Sequence, residues 1–262
     1  MGFEFLDIRR EGPVEYVTLN RPDVRNAFNE QLIDELTRWA TEVAVDDQVR
    51  AAVLAGAGKA FCAGADLKWM SRMVAYTHDE NVQDASAMAK MYASLDHLPI
   101  ALVGRVHGAA LGGGAGLAAV CDIVVAEEQA TFGFTEVKVG IVPAIISPFV
   151  LTKLGMSAAR ELFVTGMRFD ARRAKEIGLV HAVTPERDLD ACVGRYVAEV
   201  LTAAPGAVTT IKELLRKVWG RPVQDTTGIT TDTIAARRVS DEGQEGMQAF
   251  LEKRKPRWSV SQ

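Results

Sequence analysis

Cysteine and histidine are both scarce and lie scattered along the chain. The positions are Cys62, Cys121, Cys192, His78, His97, His107 and His181. They form no CxxC pair, no Cys/His cluster and no recognisable nucleophile constellation, so neither a disulfide framework nor a zinc site is predicted. We interpret the cysteines as reduced, buried side chains and the histidines as structural or solvated ones.

The chain also lacks long hydrophobic runs and a charge excess. Gly, Pro or a charged residue interrupts each apolar stretch before the roughly 20 residues that span a bilayer, so we expect no membrane helix. The 30 basic and 34 acidic residues give a net charge of −4 and no broad basic surface, so no nucleic-acid partner is expected. The start, MGFEFLDIRREG, lacks the pattern of a secretory signal, and we expect a cytoplasmic protein.

Three common site motifs are missing or incomplete. There is no Gly-x-Ser-x-Gly elbow. The stretch GAGKA at 56–60 lacks the first glycine of a phosphate loop and has alanine where Ser or Thr is required. GAGLAA at 114–119 fits a dinucleotide pattern, but it lies mid-chain and Asp122 would cut its helix short. A nicotinamide dehydrogenase therefore has only weak support.

What the chain does contain is a strand-and-helix pattern followed by a helical tail. Apolar runs predict strands at 3–9, 14–20, 49–55, 100–106 and 180–183. Helical spacing predicts helices that begin after Asn29 and at about 80, 157, 170, 187, 206 and 224, the last running to 251. This alternation predicts an α/β fold. We divide the chain into a catalytic body, 1–195, and a C-terminal helical assembly region, 196–262.

Two turns of small residues each join a buried strand to a helix. The first lies in FCAGADLKWM, residues 61–70, and the second in HGAALGGGAGLAAVCD, residues 107–122. Backbone N–H groups at such helix starts are unpaired and suit a developing negative charge. One N–H from each turn could grip a single oxygen, as in an oxyanion hole for a thioester enolate. An ordinary connection capped by Asp66 is the alternative for the first turn.

These motifs resemble the enoyl-CoA hydratase/isomerase, or crotonase, family. The resemblance also includes NRPDVRNAFN, TFGFTEVKVGIVPA and ELFVTGMRFDARRAKEIGLVHAV, and it covers essentially the whole chain. It implies the crotonase fold, built of repeated β-β-α units with a C-terminal helical region. It also implies an acyl-CoA thioester substrate, no metal, and no cofactor beyond the coenzyme A that the substrate carries.

The resemblance assigns roles residue by residue. Ala65 and Gly113 would supply the oxyanion-hole N–H groups, and Glu136 would handle the proton. Family hydratases carry a second glutamate at the position of Gly116, which is missing here. The residues that would contact coenzyme A are Arg25, Ala27, Ala63, Ala65, Asp66, Leu67 and Lys68, with Phe250 and Lys253 in the tail.

The missing glutamate leaves the reaction open. A single carboxylate serves a Δ3,Δ2-enoyl-CoA isomerase, whereas DLKWM, PAIISPFVL and the ending EGQEGMQAFLEKRKPRW resemble hydratases of methylglutaconyl-CoA and isohexenylglutaconyl-CoA. We favour a hydratase of a branched glutaconyl-type thioester. Lys68, Arg72 and Lys138 are candidates to bind the free carboxylate of that substrate.

Three further expectations accompany this assignment. The substrate carboxylate could assist proton transfer in the space that Gly116 leaves. A non-catalytic or RNA-binding homologue is a further alternative to the hydratase. Family likeness implies a homotrimer or homohexamer.

Overall fold

The computed structural model describes residues 2–259 and begins with a β-hairpin. Strands β1 (Leu6–Glu11) and β2 (Val14–Leu19) pair antiparallel across a turn in which Gly12 has a φ of +55°. Glycine tolerates this left-handed conformation because it has no Cβ. The predicted pair of strands is confirmed, but β1 starts at Leu6 rather than at residue 3.

The hairpin forms one edge of a six-stranded sheet. The strand order is β1-β2-β3-β4-β6-β9, with β3 (Ala51–Gly56), β4 (Ala101–Val106), β6 (Ile123–Glu127) and β9 (Ala182–Thr184). From β2 to β9 all neighbouring strands are parallel, so the chain crosses over between them. β3 and β4 are almost wholly buried, which explains their continuous apolar sequence.

A second sheet has three short strands that the sequence pattern did not predict. β5 (Ala109–Leu111) pairs parallel with β7 (Thr131–Gly133), which pairs antiparallel with β8 (Arg168–Asp170). A three-residue strand is too short to show a period of two, and this explains why the pattern missed them. This small sheet leads into the glycine turn of the candidate site.

Ten α-helices surround the sheets within residues 2–259. They are α1 (Glu30–Val43), α2 (Leu67–Met73), α3 (His78–Asp96), α4 (Gly113–Val120), α5 (Ser147–Thr165), α6 (Ala171–Glu176), α7 (Leu189–Thr202), α8 (Pro205–Val218), α9 (Val223–Val239) and α10 (Asp241–Leu251). Asn29 caps α1 as predicted, because its side chain accepts a hydrogen bond of 3.0 Å from Leu32 N.

The hydrophobic core lies on both faces of the large sheet. In β4, Leu102 belongs to the larger cluster, which packs against α1 and α3, while Val103 belongs to a smaller cluster under α7. The alternation follows from the period of two in a strand. Both faces are therefore covered, and the ends of the strands are left to form the site.

The C-terminal part is helical, as expected, but the structure has two helices where the sequence predicted one last helix. The segment 224–251 breaks at Ser240, whose hydroxyl caps α10 by accepting from Gly243 N at 3.1 Å. In the described part of the chain, 2–259, no helix combines the length and apolar character needed to cross a membrane. The division at residue 195, which falls within α7, stays a prediction.

Candidate active site

The turn after β3 is held by main-chain contacts on two sides. Cys62 forms a parallel bridge with Ala110, and Ala65 forms one with Phe28. Phe28 N donates to Gly64 O at 2.7 Å, and Phe28 O accepts from Asp66 N at 2.8 Å. Gly64 has a φ of +98°, which only glycine adopts without strain. The turn is therefore rigid, and its small side chains permit close approach of a ligand.

Asp66 ends the turn and caps α2. One carboxylate oxygen accepts from Lys68 N at 2.7 Å and Trp69 N at 3.3 Å, and the other lies 2.9 Å from Arg21 Nη2. Burial opposes ionisation, but the hydrogen bonds from Arg21 and the two amides outweigh it and lower the pKa of Asp66. The capping role that the sequence allowed is confirmed, and Asp66 is ionised at neutral pH.

The second turn joins β5 to α4 and packs directly against the first. Gly112 has a φ of +52°, and its N–H donates to Gly133 O at 2.8 Å. A Cβ on Gly114 would stand 2.2 Å from Cys62 O, so only glycine fits there. The start of α4 therefore lies against residue 62.

The register places the two predicted oxyanion donors on neighbouring segments. From the Cys62–Ala110 bridge, three residues further along each segment lead to Ala65 and Gly113. Among residues 2–259, no carbonyl accepts a hydrogen bond from the Ala65 N–H. In the same residues, no carbonyl outside α4 accepts a hydrogen bond from the Gly113 N–H. Gly113 is the first residue of α4, where an N–H has no partner inside the helix. Both N–H groups, which lie on neighbouring segments, are thus left without a protein acceptor in the described chain.

Glu136 brings a buried carboxylate to the same place. It begins a 3-10 turn, Glu136–Val139, shortly after β7, and its Oε1 lies 3.4 Å from where a Cβ on Gly112 would stand. Its Oε2 is buried and has no hydrogen-bond partner in the described residues. Burial raises the pKa of Glu136, although a backbone hydrogen bond opposes the shift. An unpartnered buried carboxylate beside the glycine turn is suited to accepting and returning a proton.

The space beside Gly116 is occupied. A Cβ on Gly116 would stand 2.3 Å from Ile146 Cγ2, 3.0 Å from Ile146 Cβ and 3.1 Å from the Tyr92 hydroxyl. The hypothesis that Gly116 leaves room for a substrate carboxylate is therefore wrong, because Ile146 fills that room. Ile146 and the Tyr92 hydroxyl therefore close the position of the missing glutamate.

Tyr92 is a site residue that the sequence interpretation missed. It lies on α3, is fully buried, and donates from its hydroxyl to Gly113 O at 2.7 Å. No local motif marks it, because the contact joins residues 21 positions apart. Cys62 also lies here, and burial raises the pKa of its thiol to about 12, so it is not a ready nucleophile.

The structure gathers most of the predicted coenzyme A residues, and within the described chain it shows no hydrogen bond from the other two to this group. Arg25 O accepts from Ala63 N at 3.0 Å, which brings the segment that contains Ala27 against the turn that leads to Asp66, Leu67 and Lys68. Leu67 is 80% exposed and available to a ligand. Phe250 and Lys253 lie at the end of α10, and no hydrogen bond described in 2–259 joins them to this turn.

None of the three candidate cations is buried. Lys68, Arg72 and Lys138 are all exposed, and Arg72 already pairs with Glu30. A desolvated cation is therefore not present among these three, and a substrate carboxylate would have to meet a solvated lysine.

A cavity of about 640 Å³ lies away from Glu136, against β3, β4 and α7. Two of its polar groups already have partners: Arg105 pairs with Asp190, and His107 Nε2 lies 2.9 Å from Gly58 O. Glu136 is not among the lining residues. We therefore place the candidate active site at the two turns and not in this cavity.

Comparison with known proteins identifies the class. The family described as enoyl-CoA hydratase/isomerase matches residues 9–261. The crystal structure of an enoyl-CoA hydratase from Shewanella pealeana is 38% identical, covers 98% of this chain and 96% of that one, and has a TM-score of 0.94. The structure of AtuE from Pseudomonas aeruginosa is 36% identical, with 98% and 100% coverage and a TM-score of 0.94.

A curated relative agrees in sequence. The short-chain-enoyl-CoA hydratase of Clostridium acetobutylicum is 32% identical over 250 residues, which are 95% of each chain. This chain belongs to the enoyl-CoA hydratase/isomerase family. It has the crotonase fold, as predicted, and is an enzyme of that family.

Proposed function

We propose that this protein hydrates an enoyl-CoA thioester with Glu136 as its single proton carrier, and that the substrate is of the branched glutaconyl type. The observation that carries the proposal is the buried, unpartnered Oε2 of Glu136 beside the glycine turn that starts α4. The full-length similarity to proteins named as enoyl-CoA hydratases supports the reaction class.

The two unpaired N–H groups would stabilise the negative charge. As water adds to C3, the electrons of the double bond move to the thioester oxygen, and Ala65 and Gly113 would donate to that oxygen. One such donor contributes about 3 kcal/mol to the transition state in comparable sites. This contribution raises the rate more than it tightens binding, because the charge exists only during reaction.

Glu136 would complete the addition with one proton. Its carboxylate takes a proton from water while the water oxygen bonds to C3, and the resulting acid returns that proton to C2 of the enolate. The raised pKa of Glu136 helps the first step, because a carboxylate with a raised pKa is a stronger base toward water. No second carboxylate is required.

The remaining predicted residues would bind the substrate. Arg25, Ala27, Ala63, Asp66, Leu67 and Lys68 would line the coenzyme A path, with Phe250 and Lys253 as contacts from the tail, and no other cofactor would take part. The branched glutaconyl substrate rests on the sequence resemblance described above. Among residues 2–259, Lys68 and Lys138 form no ion pair, so they are the better candidates for its free carboxylate.

A second candidate function is isomerisation of a 3-enoyl-CoA to the 2-enoyl form. It is favoured by the lack of a second carboxylate at Gly116, because Ile146 fills that space and no second acid–base side chain of residues 2–259 is placed there to activate a water molecule. Glu136 would then remove a proton from C2, the dienolate would form on the thioester oxygen, and Glu136 would return the proton to C4.

One absorbance assay separates the two reactions. We would offer the protein crotonyl-CoA, 3-methylglutaconyl-CoA and a 3-enoyl-CoA and follow the conjugated-thioester band, with Glu136→Gln as the test variant and exposed Glu128→Gln as its control. The hydratase is supported if the unmodified protein removes the band of the glutaconyl substrate and Glu136→Gln does not. A rise of the band with the 3-enoyl substrate supports the isomerase. Full activity in Glu136→Gln contradicts both.

We also propose that residues 196–262 serve assembly into a trimer or hexamer. α8 contributes no buried residue within the described chain, and Trp219, Val223 and Phe250 are 66%, 81% and 82% exposed. Exposed apolar side chains of this size mark contacts with a partner where they form one patch, and we propose that those of the tail do so. Light scattering would give the mass, and a monomer would contradict the proposal.

A further inference from the structure

Tyr92 is a buried hydroxyl with one defined partner at the candidate site. Its O–H donates to Gly113 O at 2.7 Å, and Gly113 also carries one of the two proposed oxyanion donors. The hydroxyl proton is committed to this carbonyl. Tyr92 is therefore not placed to exchange a proton with a substrate.

The ring of Tyr92 is fixed by its neighbours. Phe28 meets it edge-on with the ring centroids 6.3 Å apart, and Phe149 lies on another side at 5.9 Å. A Cβ on Gly113 would stand 2.9 Å from the hydroxyl and 3.0 Å from Phe28 Cε2. The tyrosine thus forms a rigid wall against the first turn of α4.

That first turn has little rigidity of its own. It starts with Gly112, Gly113 and Gly114, the residue type that loses most conformational freedom on folding, and Gly112 supplies no side-chain cap. A hydrogen bond weakens steeply as its angle departs from linear. An N–H group whose direction is not fixed therefore stabilises an oxyanion poorly. The direction of the Gly113 N–H must come from contacts outside the helix.

We propose that Tyr92 is the positioning residue for the oxyanion donor of Gly113. By holding the Gly113 carbonyl, its hydroxyl limits rotation of that residue and aims the N–H at the thioester oxygen. This inference rests on the proposed function and assigns it a further residue. Burial first, and then the nearby Cys62 and Glu136, raise the pKa of Tyr92 well above its ordinary value, so the hydroxyl keeps the proton it donates.

The test replaces Tyr92→Phe in the full chain, with Tyr196→Phe as the matched control. Tyr196 is half-buried under the other face of the sheet, and no hydrogen bond of its hydroxyl is found among residues 2–259. We expect kcat to fall about tenfold with KM changed less than twofold, because a misaligned donor loses part of the 100- to 1,000-fold that a whole donor contributes. Tyr196→Phe should leave both parameters unchanged.

A spectroscopic readout separates positioning from simple stability. A conjugated dienoyl-CoA bound at the site absorbs at longer wavelength when its carbonyl is polarised by the two N–H groups. We expect Tyr92→Phe to reduce this red shift, and 4-aminophenylalanine at position 92 to restore part of it because it regains a donor. If Tyr92→Phe does not fold, the 4-amino variant takes its place, and its weaker donor should give a smaller shift than tyrosine.

The outcomes distinguish this inference from the proposed function. The role of Tyr92 alone would be overturned by a full red shift and an unchanged kcat in Tyr92→Phe. If Tyr92→Phe does not fold, a full red shift in the 4-amino variant would overturn it. No red shift in the unmodified protein would overturn the proposed oxyanion donors and this inference with them. A reduced shift with KM preserved supports both.

Discussion

Gly116→Ala tests whether Ile146 truly fills the place of the missing glutamate. The added Cβ would stand 2.3 Å from Ile146 Cγ2, more than about 1 Å closer than the usual contact between carbon atoms. Overpacking of a buried site costs about 1–3 kcal/mol. Replacing a helical glycine by alanine gains about 0.5–1 kcal/mol. A carbon–carbon approach of 2.3 Å puts the clash at the upper end of its range, so we expect a net loss of up to about 2.5 kcal/mol in the free energy of unfolding.

The partner substitution reveals the coupling between the two positions. In the Ile146→Ala variant, the Cβ of residue 146 would be its nearest atom to the new methyl group, at 3.0 Å. Most of the steric overlap between residues 116 and 146 would then disappear. The cost of Gly116→Ala should then fall below about 0.5 kcal/mol, a coupling of about 1 kcal/mol or more. Urea unfolding followed by circular dichroism would measure all four proteins of the cycle.

Gly194→Ala is the matched control for this cycle. Gly194 lies within α7, and a Cβ there would meet nothing within 4 Å. We expect it to stabilise the protein by about 0.5–1 kcal/mol through helix propensity alone. If Gly116→Ala stabilised the protein as much as Gly194→Ala does, Ile146 could not fill the space beside Gly116.

Three further predictions follow from ionisable groups. Glu136 must be ionised to accept a proton, and its pKa is raised. We therefore expect kcat/KM, measured from pH 4 to 8, to fall on the acid side with a midpoint above the ordinary glutamate pKa of about 4.3. An acid-side midpoint at or below that value would contradict the raised pKa. Asp66→Asn keeps a cap for α2 but leaves the partly buried Arg21 without its anion, so urea unfolding should show a loss of about 1–3 kcal/mol, and a neutral result would argue against the ion pair. His181 has a pKa lowered first by burial and then by Lys153, and its Nδ1 accepts from Val124 N at 2.9 Å. The fold therefore prefers neutral His181, so stability is present above about pH 6.5 and is lost as pH falls through the lowered pKa; an unchanged pH dependence in His181→Gln would exclude this cause.

The long helices and strands could be predicted because the burial of their side chains follows from the pattern of neighbouring residues in the sequence. β3 and β4 are covered on both faces, so their sequences are continuous apolar runs. Asn29 and Asp66 reveal helix starts by residue type and spacing. The start of α3 at His78 had a readable signal too, since Thr77 and Glu80 form a reciprocal capping box.

The contacts that complete the site could not be predicted in this way. Tyr92 reaches Gly113 from another helix, and Ile146 reaches Gly116 across 30 positions of the chain. Neither residue stands in a recognisable local pattern, because their importance arises only from packing in three dimensions. The missing glutamate was visible in the sequence, whereas what replaced it was not.

The two adjacent bridges, Cys62–Ala110 and Phe28–Ala65, have a consequence for how this site tolerates mutation. Since the proposed donors are peptide N–H groups, most side-chain substitutions other than those at Tyr92 leave them intact. Only proline deletes the donor itself, so Ala65→Pro would be a far more damaging change than Ala65→Ser. A change of the acid–base side chain at Glu136 would therefore leave the proposed anion-binding main chain in place.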